Sequence, residues 1–591
     1  MNFFLRIVCL GLILLWPLRQ EADAQTCQWQ SPEPEPLNFE LTLPTTPAPD
    51  FLDGKSIGHI TFTRYNVFNP EDPKESNFLY RWLNDVHVIS QEQVIRDEIL
   101  FRETDQYNGQ LFAESERILR NNKYLYDARV RPLRLCGDKV DIEVVTKDAW
   151  SITPAFSISH KGGETTTKTS ITESNFLGSG KLISISQAKD DQRTEYTVRY
   201  KDPNIAGTRR KTAIEISDNS DGYRQYFSLD LPFYSLASQR SYGFSFNNEQ
   251  RISPLYYQSK KAIELDHKNR IYNIFYGRSK GYIEDTTKRW RYGFTYRQDT
   301  LKPDAVIPRA FGLDSPNHLA LTSQAQHQRT LLYPWLAFDY IENSFTTIEN
   351  FHSIKRTEDI NLGRSLTGRI GYSHHSVAND ISRVIFNIHS QNAIRKQKHL
   401  LTFDTQVDGY WQSKHNKFEN LAATFNGAYY HFYDSDWVFF SQIKYNMLYN
   451  PHQENQLFLG GDTGLRGYPL RHLSGEQTGV LTFEQRYYSD AYLFRLIRIG
   501  AAFYVDIGKS WGDSHLLEQY DKLLTAMPPE AQVTAIEKQD KRWLANVGIG
   551  LRFTPSRVDA NHVIHVDLAF PLANRQDIKS SQFLISVKQS F

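Results

Sequence analysis

The segment RWLANVGIGLRF, residues 542–553, alternates without a break. Trp543, Ala545, Val547, Ile549, Leu551 and Phe553 fall on one side. Asn546, Gly548, Gly550 and Arg552 fall on the other. A strict period of two sends successive side chains to opposite faces of a strand. The pattern recurs to the end of the chain. GVLTFEQRYY sets Leu481, Phe483, Gln485 and Tyr487 against Thr482, Glu484 and Arg486. IRIGAAFYVDIG sets Ile499, Ala501, Phe503, Val505 and Ile507 against Arg498, Gly500, Ala502, Tyr504 and Asp506. In HVIHVDLAF and QFLISVKQSF the same rule opposes Ile564 to His565 and Phe583 to Leu584. A soluble sandwich also alternates. Here, however, charged and small residues occupy one face on strand after strand, as a barrel with a wet lumen requires. Aromatic residues collect at strand ends, in Arg486-Tyr487-Tyr488 and in WVFF at 437–440. Such rings favour the boundary between membrane and water. Lipid penalises unpaired backbone groups, so a sheet in a membrane must close on itself. The expected fold of residues 150–591 is therefore an all-β transmembrane barrel.

The chain of 591 residues also holds a smaller, different unit. Arg6, the apolar run Ile7–Trp16 and the small-x-small group Ala22-Asp23-Ala24 read as an export signal over 1–24. The mature chain then starts near Gln25. No later run approaches about 18 consecutive apolar residues, the length a spanning helix needs. Residues 25–50 are proline-rich and read as an extended tether. Residues 51–148 read as strand, helix, helix, strand, strand, a small α+β domain. Ser90 and Gln93 form an expected capping box for the first helix. Asn108 is the expected cap of the second, over Gly109–Arg120. Val140, Ile142 and Val144 share a strand face. Cys9 leaves with the signal. Cys27 and Cys136 remain in an oxidising space, and their pairing stays open at this level.

Formal net charge is +1, which gives no reason to expect a nucleic-acid partner. Aromatic residues make up 13% of the chain at a mean hydropathy of −0.53, a composition of short strands rather than oily helices. No His-Glu-x-x-His string occurs. GSGKL at 178–182 lacks the phosphate-loop glycine at Asn175 and the Ser/Thr at Leu182. His374 and His375 are adjacent but do not make a metal site. The reading is of a non-enzyme with no cofactor and no metal.

LFLGGDTGLRGYPLRHLSGEQTG, residues 457–479, concentrates six glycines around Leu465, Arg466, Gly467 and Tyr468. Glycine is useful where backbone turns sharply or approaches another surface closely. With this loop, five alternating segments after it and a terminal Phe591, the sequence strongly resembles the Omp85 superfamily of BamA-, TamA- and two-partner-secretion-type proteins. The stretch Leu100–Leu133 is similar to the last POTRA domain before such barrels. Thr146–Pro154 resembles the crossing into the barrel, and Ser174–Ile183 an early barrel segment.

The resemblance implies 16 antiparallel strands, about 28 residues for each strand with its loop over 442 residues. It implies that the loop lies between strands 11 and 12 and folds into the lumen. Arg466 would there meet a carboxylate of the inner wall, with Glu484 and Asp506 as the inward-facing partners. Phe583, Ile585, Val587, Gln589 and Phe591 resemble the C-terminal signal of outer-membrane barrels. The implied role is insertion of outer-membrane proteins or polypeptide translocation, from a barrel in outer-membrane lipid with its small domain in the periplasm. An unfolded polypeptide client or a periplasmic protein would be the partner. A passive channel, or a barrel that only anchors a partner, is the alternative. The chain departs from the family's better-known members in having one POTRA-like domain.

Overall fold

The computed structural model describes residues 27–30, 50–161, 164–190, 192–257, 260–306, 327–378, 380–452, 454–512, 542–558, 563–573 and 578–588. The signal segment, most of the proline-rich segment, Gln589 and Phe591 lie outside the described residues. In the small domain, β1 (Cys27–Gln30), β3 (Leu125–Cys136), β4 (Lys139–Asp148) and β2 (Ser56–Tyr65) form a sheet in that order. Val140, Ile142 and Val144 are fully buried beneath α2 (Glu92–Glu98) and α3 (Gly109–Arg120), together with Ile95, Phe112 and Leu119. Asn108 caps α3 by accepting from the backbone N–H groups of Gln110 and Leu111. Cys27 and Cys136 are joined by a disulfide across the β1–β3 edge.

Two features of this domain differ from expectation. Ser90 does not cap α2, whose first flanking residue is Gln91. The Asp148 carboxylate takes both the Ser90 N–H at 2.8 Å and its hydroxyl at 3.0 Å. A third helix, α1 (Phe78–Val86), is inserted between β2 and α2 and capped by Asn77.

The barrel is closed and all antiparallel, but it has 20 strands and not 16. They are numbered here in chain order from strand 1 (Ile152–Lys161) to strand 20 (Gln582–Lys588). The physical reason lies in uneven strand length. Six strands fit between Ile152 and Leu231, each of 8 to 10 residues, whereas strand 8 (Lys260–Ile283) alone has 24. An average over 442 residues conceals both extremes. The five segments after the glycine-rich loop are consequently strands 16 to 20: Gln477–Leu493, Ile497–Trp511, Leu544–Pro555, Val563–Pro571 and Gln582–Lys588. Their alternation is the one the sequence dictates, with Glu484, Tyr504, Asp506, Asn546, Arg552 and Asp567 buried on the inner wall. Phe483, Phe503, Ile549 and Phe583 are exposed on the outer wall.

The small domain is fixed to one rim of the barrel. The turns after strands 2 and 4 repeat one design. Asn175 and Asn204 each accept, through their side-chain oxygens, the backbone N–H five residues on. Leu177 and Ala206 take positive φ within them. The first turn accepts the Gln91 N–H at the start of α2. From the second, Arg209 donates to the Ile99 carbonyl just past its end, at 2.7 Å. Both ends of α2 are thus clamped by successive barrel turns. Arg557, after strand 18, pairs with buried Glu75 and donates to the Val67 carbonyl.

Candidate functional site in the lumen

Residues 450–476 leave the far end of strand 15 (Trp437–Tyr449) and return to strand 16 through the lumen. Leu457–Leu459 pairs with Leu473–Gly475 as a short hairpin. Beyond it the tip is held by its own backbone, Leu465 donating to the Gly460 carbonyl and Tyr468 to that of Leu465. Leu459, Leu465, Tyr468 and Leu473 are buried against Val480 and Leu544 of the wall. The Tyr468 hydroxyl lies within hydrogen-bonding distance of the Ala545 and Ala573 carbonyls, at 3.0 and 2.9 Å. Two glycines meet separate demands. Gly464 has φ of +126°, which side chains resist. A Cβ on Gly467 would stand 2.6 Å from that of Asn546, so only glycine lets its N–H donate to the Asn546 side chain.

These contacts deliver Arg466 to the wall. Its Nε and Nη2 donate to the two oxygens of Asp506 at 2.8 and 2.7 Å. Its Nη1 donates to Glu484 at 2.8 Å. The guanidinium carbon is 3.3 Å from the centroid of the Tyr504 ring. Thr482 and Asn546 add two more donors to Asp506, and Arg486 donates to the other oxygen of Glu484. Six donors, three from Arg466 and one each from Arg486, Asn546 and Thr482, therefore converge on two carboxylates from adjacent strands. The arrangement is a lock: charge-assisted, forked and excluded from water. Arg466, Glu484 and Asp506 are thus brought together, while Phe583, Ile585 and Val587 stand apart on strand 20 with Phe583 and Val587 exposed outward.

A second closure was not expected from the sequence. Between strand 10 (His327–Glu342) and strand 11 (Ser365–Ser373), at the rim that carries the small domain, Phe345–Ile348 and Glu358–Asn361 pair as a hairpin. Ile348, Phe351 and Ile354 are buried against Tyr430, Phe440 and Tyr488, which come from three barrel strands. Phe351 and Tyr430 have ring centroids 4.9 Å apart. The hairpin also touches the small domain. Arg120 of α3 holds both oxygens of Asp359, at 2.9 and 2.7 Å, and Arg117 lies 3.8 Å over the Phe345 ring. The one local signal was the apolar spacing of Ile348, Phe351 and Ile354 in a stretch that does not alternate. The loop and the hairpin leave between them a cavity of about 930 Å³, lined by Arg466, Asp462, Asp359 and Phe351 among others. No group of three or more His, Cys, Asp or Glu is arranged to hold a metal ion among the described residues.

Residues 175–591 match the model of the Omp85 superfamily domain. The chain belongs to the Omp85 superfamily. Its role is accordingly the superfamily's, outer-membrane protein assembly or polypeptide translocation, and its place is the outer membrane. Solved structures similar to this Omp85 chain include CdiB from Escherichia coli, at 11% identity and a TM-score of 0.43, covering 90% of this chain and 76% of that one. CdiB from Acinetobacter baumannii matches at 11% identity and a TM-score of 0.41, covering 96% and 95%. BamA from Haemophilus ducreyi lacking POTRA domains 1–3 matches at 12% and 0.37, covering 90% and 84%. No curated protein matches the sequence.

Proposed function

We propose that this Omp85 protein accepts an unfolded polypeptide in the periplasm and inserts it into, or passes it across, the outer membrane. On this reading its POTRA-like domain stands at the periplasmic rim. The observation that carries the reading is the Arg466 lock, a loop anchored inside the lumen by two buried carboxylates. A passive pore gains nothing from a lumen filled from both ends, whereas a gated path needs closures that can be released. The seam supports the same reading. Among the described residues, strand 20 meets strand 1 through one register pair, Ile585 with His160, against seven between strands 19 and 20. A sparsely paired edge can template another strand. Thr104–Tyr107 bonds to the start of β2 at Lys55–Ile57, and no strand lies beyond the rest of β2 among the described residues, so that part of the small sheet also offers an edge to an extended client. No catalytic step enters this mechanism.

The test is a quantitative comparison of outer membranes and culture medium from cells with and without the gene, with the normal copy and Arg466→Ala restored separately. The expected result is loss of defined barrels or of one secreted protein, recovered by the normal copy. An unchanged proteome, with stable conductance of the purified protein in bilayers, would overturn the proposal in favour of a channel.

A further inference from the structure

Helix α1 has no counterpart in the strand–helix–helix–strand–strand pattern of its domain, and one of its faces is left bare. At 3.6 residues per turn, Phe78, Trp82 and Val86 stack on one side with Leu79 beside them. Phe78 is 83% exposed and Trp82 51%. The opposite face is committed. Tyr80 is buried against Phe68, its hydroxyl donates to the Phe494 carbonyl in the turn after strand 16, and Leu83, like Trp150 and Leu496, packs against the core of Val67, Phe68 and Tyr80. Arg81 and Asp85 bound the bare face on its other flank.

The barrel's turns locate this helix. It is tied to the turn after strand 16 through Tyr80, and its domain is tied to Arg557 after strand 18 through Glu75. Val88, two residues beyond it, abuts Gly178 in the turn after strand 2. In the order of the closed sheet the turns after strands 18 and 2 bracket strands 19, 20, 1 and 2, and so the seam between strands 20 and 1. The helix and the residues flanking it therefore lie along the arc of the rim that contains the seam. The barrel contributes its own bare apolar side chains at the same rim: Phe494 is 79% exposed and Leu177 is 63% exposed. The bare face of α1 thus shares the domain-side rim with two exposed apolar side chains of the barrel's own turns.

We propose that α1 is a membrane-surface helix, which seats Phe78, Leu79, Trp82 and Val86 in the lipid at the domain-side rim, beneath the junction of strands 20 and 1. An amphipathic helix with aromatic and aliphatic residues on one face and charged ones beside it suits that interface. Its insertion disturbs acyl chains at the point where the sheet is most sparsely paired. The inference does not depend on the identity, or the existence, of a polypeptide client.

The test places single cysteines in the full chain at Phe78→Cys, Trp82→Cys and Val86→Cys, with Arg81→Cys and Asp85→Cys as the flanking set. Each is labelled with an environment-sensitive fluorophore in client-free phospholipid vesicles. The expected result is blue-shifted emission at 78, 82 and 86, quenched several-fold more by a nitroxide-bearing lipid than at 81 and 85. Equal quenching of all five positions by aqueous iodide, with no effect of the lipid quencher, would overturn the proposal and leave the face free for a protein partner. Retained gel mobility of the folded barrel shows that each variant is assembled.

Discussion

Replacing Arg466 by alanine should do more harm than removing any single neutral contact of the lumen loop, and the damage should fall unevenly on its two partners. Arg466 and Arg486 balance Glu484 and Asp506 in one buried cluster. Taking one partner from a buried ion pair costs about 3–5 kcal/mol, because a charge is left without compensation. Glu484 retains Arg486 at 2.9 Å after the change. Asp506 retains only Thr482 and Asn546, which are neutral donors, and its side chain is wholly buried. The residual charge therefore sits on Asp506. A second substitution, Asp506→Asn, should return a large part of the loss. Glu484→Gln in the same background should deepen it by taking the carboxylate from Arg486 as well. Urea titration of the refolded protein in lipid vesicles, followed by tryptophan emission, measures all four variants against the parent. Equal rescue by the two second-site changes, or a loss under about 1 kcal/mol for Arg466→Ala, would refute a buried lock, since that is the range of exposed pairs.

Three further outcomes follow from other parts of the molecule. Replacing 345–361 by a short flexible turn should raise single-channel conductance in planar bilayers, because the hairpin's apolar residues fill the domain-side lumen; Arg120→Ala should raise it less, since it releases one attachment. Gly467→Ala should lift the loop tip from Asn546 and make the bond after Arg466 sensitive to trypsin in intact vesicles, where the parent resists. Burial raises the pKa of Glu98 above its ordinary value against the opposing pull of Lys211 and Arg209. The folded state then holds the proton more tightly than the unfolded state, so this contribution is full below about pH 4.3 and is lost as pH rises through the folded pKa. Glu98→Gln should flatten that slope in a protease-resistance profile of the small domain, and an unchanged slope would count against it.

Strand existence and facing were legible because a period of two is local: Trp543 to Phe553 announces its two faces without help from any other segment. The same rule showed which carboxylates stand on the inner wall, and so placed Glu484 and Asp506 where an inward loop could meet them. The Asn108 cap was legible for the same reason, since donor and acceptor lie within three residues. Ser90 was misread because its hydroxyl is claimed by Asp148, far along the chain, and no local rule weighs that competitor. The hairpin at 343–364 was missed because its apolar residues find their partners on distant strands. The sequence by itself determined an alternating, membrane-closing sheet with a separate α+β domain and a glycine-rich loop. Only the tertiary structure decided that 20 strands close the ring, that the loop and a hairpin enter the lumen from opposite ends, and that α1 is tied to the turn after strand 16. Each of those depends on which distant surfaces compete for the same hydrogen bonds and the same buried space, and such competition is resolved only when the whole chain is folded.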